Sequence, residues 1–166
     1  MLRRRYRGAK GKYSNETTTV NMALTTPLAA GSSMKYEIVP VTNVYGTRKV
    51  KNFTLNLSIA NFTNTPVVYA LVYVPEGTSP SALTTQGNDV TEQGVTTSIA
   101  QLYKPNQNVI MQGIIVPGDP RPVIQKSRLA RNLDSGDSIC LLIANVAAVQ
   151  SGTPAVFGTV NYAVKF

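Results

Sequence analysis

Residues 50–59 alternate between apolar and polar side chains. Phe53, Leu55, Leu57 and Ile59 fall on one parity, with Thr54, Asn56 and Ser58 between them. A period of two predicts a half-buried β-strand, because successive side chains leave a strand on opposite faces. Unbroken alternation puts Lys51 in the apolar parity at the strand entrance. Residues 34–39 alternate too, and so do residues 155–166, with Val156, Gly158, Val160, Tyr162 and Val164 on one parity. Residues 67–74 are apolar almost throughout, the pattern of a strand covered on both faces. Residues 17–24 and 109–116 predict further strands, and 139–146 a buried one. Residues 123–133 suit either a polar connector or an edge strand.

Turn chemistry separates these runs. It occurs at residues 27–33, at Pro75-Glu76-Gly77, at Pro117-Gly118-Asp119-Pro120 and at Asp134-Ser135-Gly136-Asp137. Residues 78–97 predict a long polar loop with a short helical turn over 79–83. A loop of that length in a compact domain is usually functional or an interaction element. No window sustains a period of 3.6. About eight strands without helical crossovers predict an all-β sandwich or jelly roll rather than a βαβ fold.

The chain has 166 residues, about one domain's length. It buries enough surface to need no disulfide or metal staple. Only 14% of residues are charged, against roughly 25% in an average domain. So weakly charged a body is expected to be covered in part by neighbouring copies of itself.

The charge that exists is unevenly placed. Six of the first twelve residues are basic: Arg3, Arg4, Arg5, Arg7, Lys10 and Lys12. The net charge is +8, and the rest of the chain supplies only +2 of it. The sequence therefore divides into a basic N-terminal arm, 1–14, and a β domain, 15–166. A single-sign run repels itself and cannot bury a core, so its partner lies outside the fold. Nucleic acid rewards clustered Lys and Arg most, through phosphate neutralisation and counterion release. Gly8 and Gly11 keep the arm flexible, and Tyr6 and Tyr13 offer faces for base stacking. Twelve extended residues reach about 40 Å.

Two further basic clusters lie in the body: Arg48, Lys49 and Lys51, then Lys126, Arg128 and Arg131. They extend the arm's cationic surface or are ordinary solvated strand positions.

Other chemistry is sparse. There is no histidine, which removes the commonest general base, the usual hydrolase triads and the commonest metal ligand. The lone Cys140 excludes thiolate zinc sites and internal disulfides and is expected to be a small buried hydrophobe. Gly8-Ala9-Lys10-Gly11-Lys12 lacks the preceding strand and the spacing of a phosphate loop. Asp134 with Asp137, and Asp89 with Glu92, fit either a cation site at a subunit edge or polar turns whose carboxylates bind local N–H groups. No catalytic constellation, cofactor motif or metal site is expected. No stretch approaches the ~18–20 apolar residues of a membrane helix. The basic start is not followed by an apolar segment, so neither membrane insertion nor secretion is expected.

Residues 46–55 through 69–75, Leu102-Tyr103-Lys104-Pro105-Asn106-Gln107-Asn108-Val109-Ile110-Met111-Gln112-Gly113, and Ser127-Arg128-Leu129-Ala130-Arg131-Asn132-Leu133-Asp134-Ser135-Gly136-Asp137-Ser138-Ile139 carry a resemblance. In these stretches the chain resembles capsid proteins of small circular single-stranded DNA viruses that encode a Rep protein, the broad circovirus and nanovirus group. The resemblance implies a single jelly roll and a homo-oligomeric icosahedral T=1 shell of 60 copies packaging single-stranded DNA. It also implies an arm that points inward and doubles as a signal for host import machinery. Arg3-Arg4-Arg5-Tyr6-Arg7 is the matching stretch. The virion, and the host nucleus during assembly, are the implied locations. RNA satellite-virus coats share this layout, so RNA is the alternative cargo. A non-viral nucleic-acid-binding β-barrel is the other alternative; such proteins usually carry more cations on the folded body.

Overall fold

A computed structural model of the chain describes residues 13–23, 33–43, 45–60, 67–77, 108–116, 121–145 and 155–166. Eight strands run through them: β1 (Ser14–Ala23), β2 (Ser33–Val39), β3 (Arg48–Ala60), β4 (Val67–Val74), β5 (Asn108–Ile115), β6 (Val123–Leu133), β7 (Ser138–Asn145) and β8 (Ala155–Lys165). All pairings are antiparallel. The first sheet has the order β1-β8-β3-β6 and the second β2-β7-β4-β5. Every connection except β4 to β5 passes from one sheet to the other. That wrapping makes the protein a jelly-roll sandwich. Residues 123–133, expected as a connector or an edge strand, form the edge strand β6. The predicted turn at 27–33 lies outside the described residues except for Ser33, which opens β2. The loop at 78–97 with its helical turn and the turn at 117–120 lie outside them altogether.

The alternating strands supply the interior. Val20 and Met22 from β1, Phe53, Leu55 and Leu57 from β3, and Val156, Val160, Tyr162 and Val164 from β8 face Ile38, Tyr69, Leu71, Ile139, Leu141 and Ile143 of the second sheet. Burying each such side chain contributes roughly 1.5–3 kcal/mol. The phenyl ring of Phe53 lies 6.2 Å from that of Tyr162, tilted by 33°.

Hydrogen bonds close the sandwich along its open sides. On one side, Thr18 Oγ1 donates to the Ile38 carbonyl at 2.8 Å. The Tyr36 hydroxyl donates to the Thr19 carbonyl, also at 2.8 Å. On the other, the Tyr69 hydroxyl donates to Gln125 Oε1 at 2.9 Å, and Gln125 Nε2 donates to the Gln112 carbonyl at 3.1 Å. A buried polar group left without such a partner costs about 1–3 kcal/mol.

Lys51 departs from its expected parity. Asn52 adopts a left-handed conformation, φ 57°, which Asn tolerates better than most residues. The resulting bulge shifts the register of β3 against both β6 and β8. Arg48 and Val50 therefore point inward before it, as Phe53, Leu55 and Leu57 do after it. Lys51 is sent to the outer face.

Candidate nucleic-acid interface

The outer face of the first sheet is polar and cationic. Its neutral part is mostly Thr and Asn with the exposed Ile124 and Phe157 among them, and Thr17 Oγ1 donates to Asn161 Oδ1 across the β1–β8 pair at 2.5 Å. Its charged part comes from the ends of β3 and β8 and from β6. The register sets Lys49 beside Lys165 and Lys51 beside Ala163. Thr54 pairs with Lys126, and Arg128 stands exposed on the same strand. Among the described residues the outward positions of this face include no Asp or Glu. Like charges placed side by side repel, so Lys49 and Lys165 favour an anion between them.

The arm joins this face directly. β1 begins at Ser14, and the ammonium of Lys51 lies 3.9 Å from the centre of the Tyr13 ring. A cation over an aromatic face contributes about 0.5–1 kcal/mol at an exposed site. The contact spans β8, where the small Ala163 leaves room for it. The last residue before β1 is thereby held against the cationic surface. Arg3, Arg4, Arg5, Arg7, Lys10 and Lys12 lie outside the described residues.

Of the predicted body residues, the structure brings Lys49, Lys51, Lys126 and Arg128 onto one face and separates Arg48 and Arg131 from them. Arg48 is only 6% exposed. Its Nη2 donates to the carbonyls of Pro40 at 2.9 Å and Asp137 at 3.3 Å. Burial pushes its pKa down, an effect opposed by Tyr162 and Asp137. Arg131 pairs with the inward Val50 and is half-buried. Lys165 was missed. It is isolated in sequence, and only the β3–β8 register reveals its neighbour Lys49.

Asp137 resolves the carboxylate pair in favour of a turn. The 134–137 turn is closed by Asp137 N–H on the Asp134 carbonyl at 3.2 Å, with Gly136 at φ 85°. The buried Asp137 carboxylate accepts from Asp134 N–H at 2.9 Å, Glu76 N–H at 3.0 Å and the Tyr73 hydroxyl at 2.8 Å. The carboxylate thus anchors the β6–β7 turn to the end of β4. Burial and this hydrogen bond push the Tyr73 pKa up to about 12. Asp89 and Glu92 lie outside the described residues. No cluster of three or more His, Cys, Asp or Glu occurs among the described residues.

The second sheet presents a different outer surface. Val68, Ala70, Val72 and Val74 of β4 form an apolar cluster with Cys140 and Leu142 of β7, and all are buried. Strand β4 is thus covered on both faces, as its unbroken apolar run predicts. Burial pushes the Cys140 thiol pKa up, which makes it a poor nucleophile.

No family model matches the chain, and no curated protein matches its sequence. Among solved structures, it is similar to one from Desmodium yellow mottle tymovirus at 12% identity. That match covers 93% of this chain and 89% of the other, with a TM-score of 0.37.

Proposed function

We propose that the protein is a structural capsid subunit that assembles with copies of itself and packages single-stranded nucleic acid through its basic arm. The observation that carries this reading is the acid-free cationic face of the first sheet, with the root of the arm docked on it through Tyr13 and Lys51. Phosphates are bound there without sequence readout, since Lys and Arg contacts to a backbone position the chain but do not specify bases. The weakly charged remainder supports contacts between copies. The sequence resemblance favours a T=1 shell of 60 copies, single-stranded DNA as cargo, and import into the host nucleus before assembly. Sixty copies at +8 carry about 480 positive charges, so a genome of a thousand nucleotides or more needs additional cations inside the shell.

Electron microscopy and light scattering of the purified protein test assembly, and nuclease digestion of its contents separates DNA from RNA. Closed particles are expected, with DNase-sensitive contents once opened. A version lacking residues 1–12 leaves β1 intact. It is expected to lose most nucleic-acid binding and most of its salt dependence. A stable 17.9 kDa monomer under all assembly conditions would overturn the capsid reading, and unchanged binding by the truncated chain would overturn the role of the arm.

A further inference from the structure

A cleft of about 150 Å³ opens at the end of the sandwich from which the arm leaves, lined by Tyr45, Gly46, Thr47, Arg48 and Phe166. A void of that volume holds one aromatic ring. Two aromatic side chains border it and are left in solvent: Tyr45 is 101% exposed and Phe166 79%. Exposed aromatics that border a cleft are suited to stacking. Arg48 lines the cleft as well. Arg48 has two carbonyls for its Nη2, but its buried Nε–H has no acceptor among the described residues. Lys49 follows Arg48 and stands beside Lys165, which precedes Phe166. Lys49 and Lys165 do not line the cleft; they stand on the outer face of the first sheet at the same end of the sandwich, where a nucleic-acid strand leaving the cleft would pass. The carboxylate tied to its lining, Asp134, accepts from Thr47 Oγ1 at 2.7 Å.

We infer that this cleft seats one base of a single-stranded nucleic acid, stacked against Tyr45 and Phe166, while Lys49 and Lys165 hold the adjoining phosphates. The inference rests on the packaging reading and sharpens it: the body of the subunit, and not only its arm, holds the cargo at a defined point. Stacking on aromatics tolerates any base, so the site grips the strand without reading it.

The test uses the full chain and a fluorescein-labelled 12-mer of deoxythymidine containing 5-iodouracil. Affinity is measured by anisotropy over a range of salt concentrations, and photocrosslinks are mapped by mass spectrometry. For Tyr45→Ala/Phe166→Ala, affinity is expected to fall by about 5- to 100-fold. The salt slope should stay unchanged, because no cation is removed. In the unaltered chain, crosslinks are expected on Tyr45 or Phe166. Both side chains are exposed, and circular dichroism checks that the variant folds. Equal affinity of the two proteins, with crosslinks elsewhere, overturns the inference while the packaging reading stands. Lost assembly with unchanged oligonucleotide affinity also overturns it, and makes the cleft a contact between copies. If the unaltered chain shows no salt-dependent binding, the packaging reading falls as well.

Discussion

The two sheets share a core but present opposite outer faces. The outer face of β8 and β3 is mostly Thr, Asn, Ser and Lys, with Phe157 exposed among them, and carries no acids among the described residues. The outer face of β4 and β7 is Val, Ala, Leu and Cys, buried as deeply as the interior. The difference lies in periodicity. A strand with polar residues at every second position tolerates water on one side, whereas β4 has no polar position to offer. The first sheet's exterior is thus free to carry charge, and the second sheet's exterior is part of what holds the fold together.

That contrast predicts unequal responses to the same kind of change. Val72→Asp places a carboxylate in the apolar cluster of the second sheet and is expected to lower stability by about 3–5 kcal/mol. Lys126→Gln on the first sheet should stay within about 0.5 kcal/mol. Urea unfolding of both variants measures the gap, and equal midpoints would break the comparison.

Gly158→Ala comes next. Gly158 sits at φ 156° between Val20 and Leu57, and an added Cβ runs into the Asn56 carbonyl. Strain of this kind costs about 1–3 kcal/mol, so a matching fall in urea stability is expected although no core atom is removed. An unchanged midpoint would mean that the close β3–β8 approach is not needed.

A smaller effect separates the corner at Asp137 from both faces. The folded state holds the Tyr73 proton up to about pH 12, against an ordinary value of 10.0. Unfolding therefore releases a proton in alkaline solution. The associated stability is intact below pH 10 and is lost as the pH rises toward 12. Tyr73→Phe is expected to flatten that part of the pH profile, as followed by circular dichroism.

The smallest change in stability belongs to the cationic face. Lys49→Gln, Lys51→Gln and Lys126→Gln should each leave unfolding nearly unmoved. Each is expected to reduce the salt slope of single-strand binding by about 0.7. A slope that stays constant through all three would remove the face from the interface.

Much of the fold was legible because strand periodicity is local. β4 is bounded at the residues its apolar run predicts, and the parity of Val156, Val160, Tyr162 and Val164 is the parity of the core. The candidate interface was only partly legible, for two reasons. Arg48 and Lys49 are adjacent in sequence, yet a strand sends adjacent side chains to opposite faces, so one is buried and the other exposed. Lys165 joins the site through its pairing with β3, a long-range register that composition does not reveal. Asp137 was recognisable as a turn residue, but its reach to Tyr73 and Glu76 depends on how β4 ends beside that turn.

The bulge at Asn52 has a consequence for how this chain varies. It acts as a phase switch in β3: residues on one side of it count odd and even differently from those on the other. Straightening the bulge with every residue kept exchanges inside for outside along half the strand: Lys49 and Lys51 turn toward the core and Val50 toward solvent. Deleting Asn52 itself, by contrast, restores plain alternation and leaves each side chain on its present face. With Asn52 in place, the inward set of β3 therefore depends on this one backbone conformation, which keeps the interior dry and the cations outside.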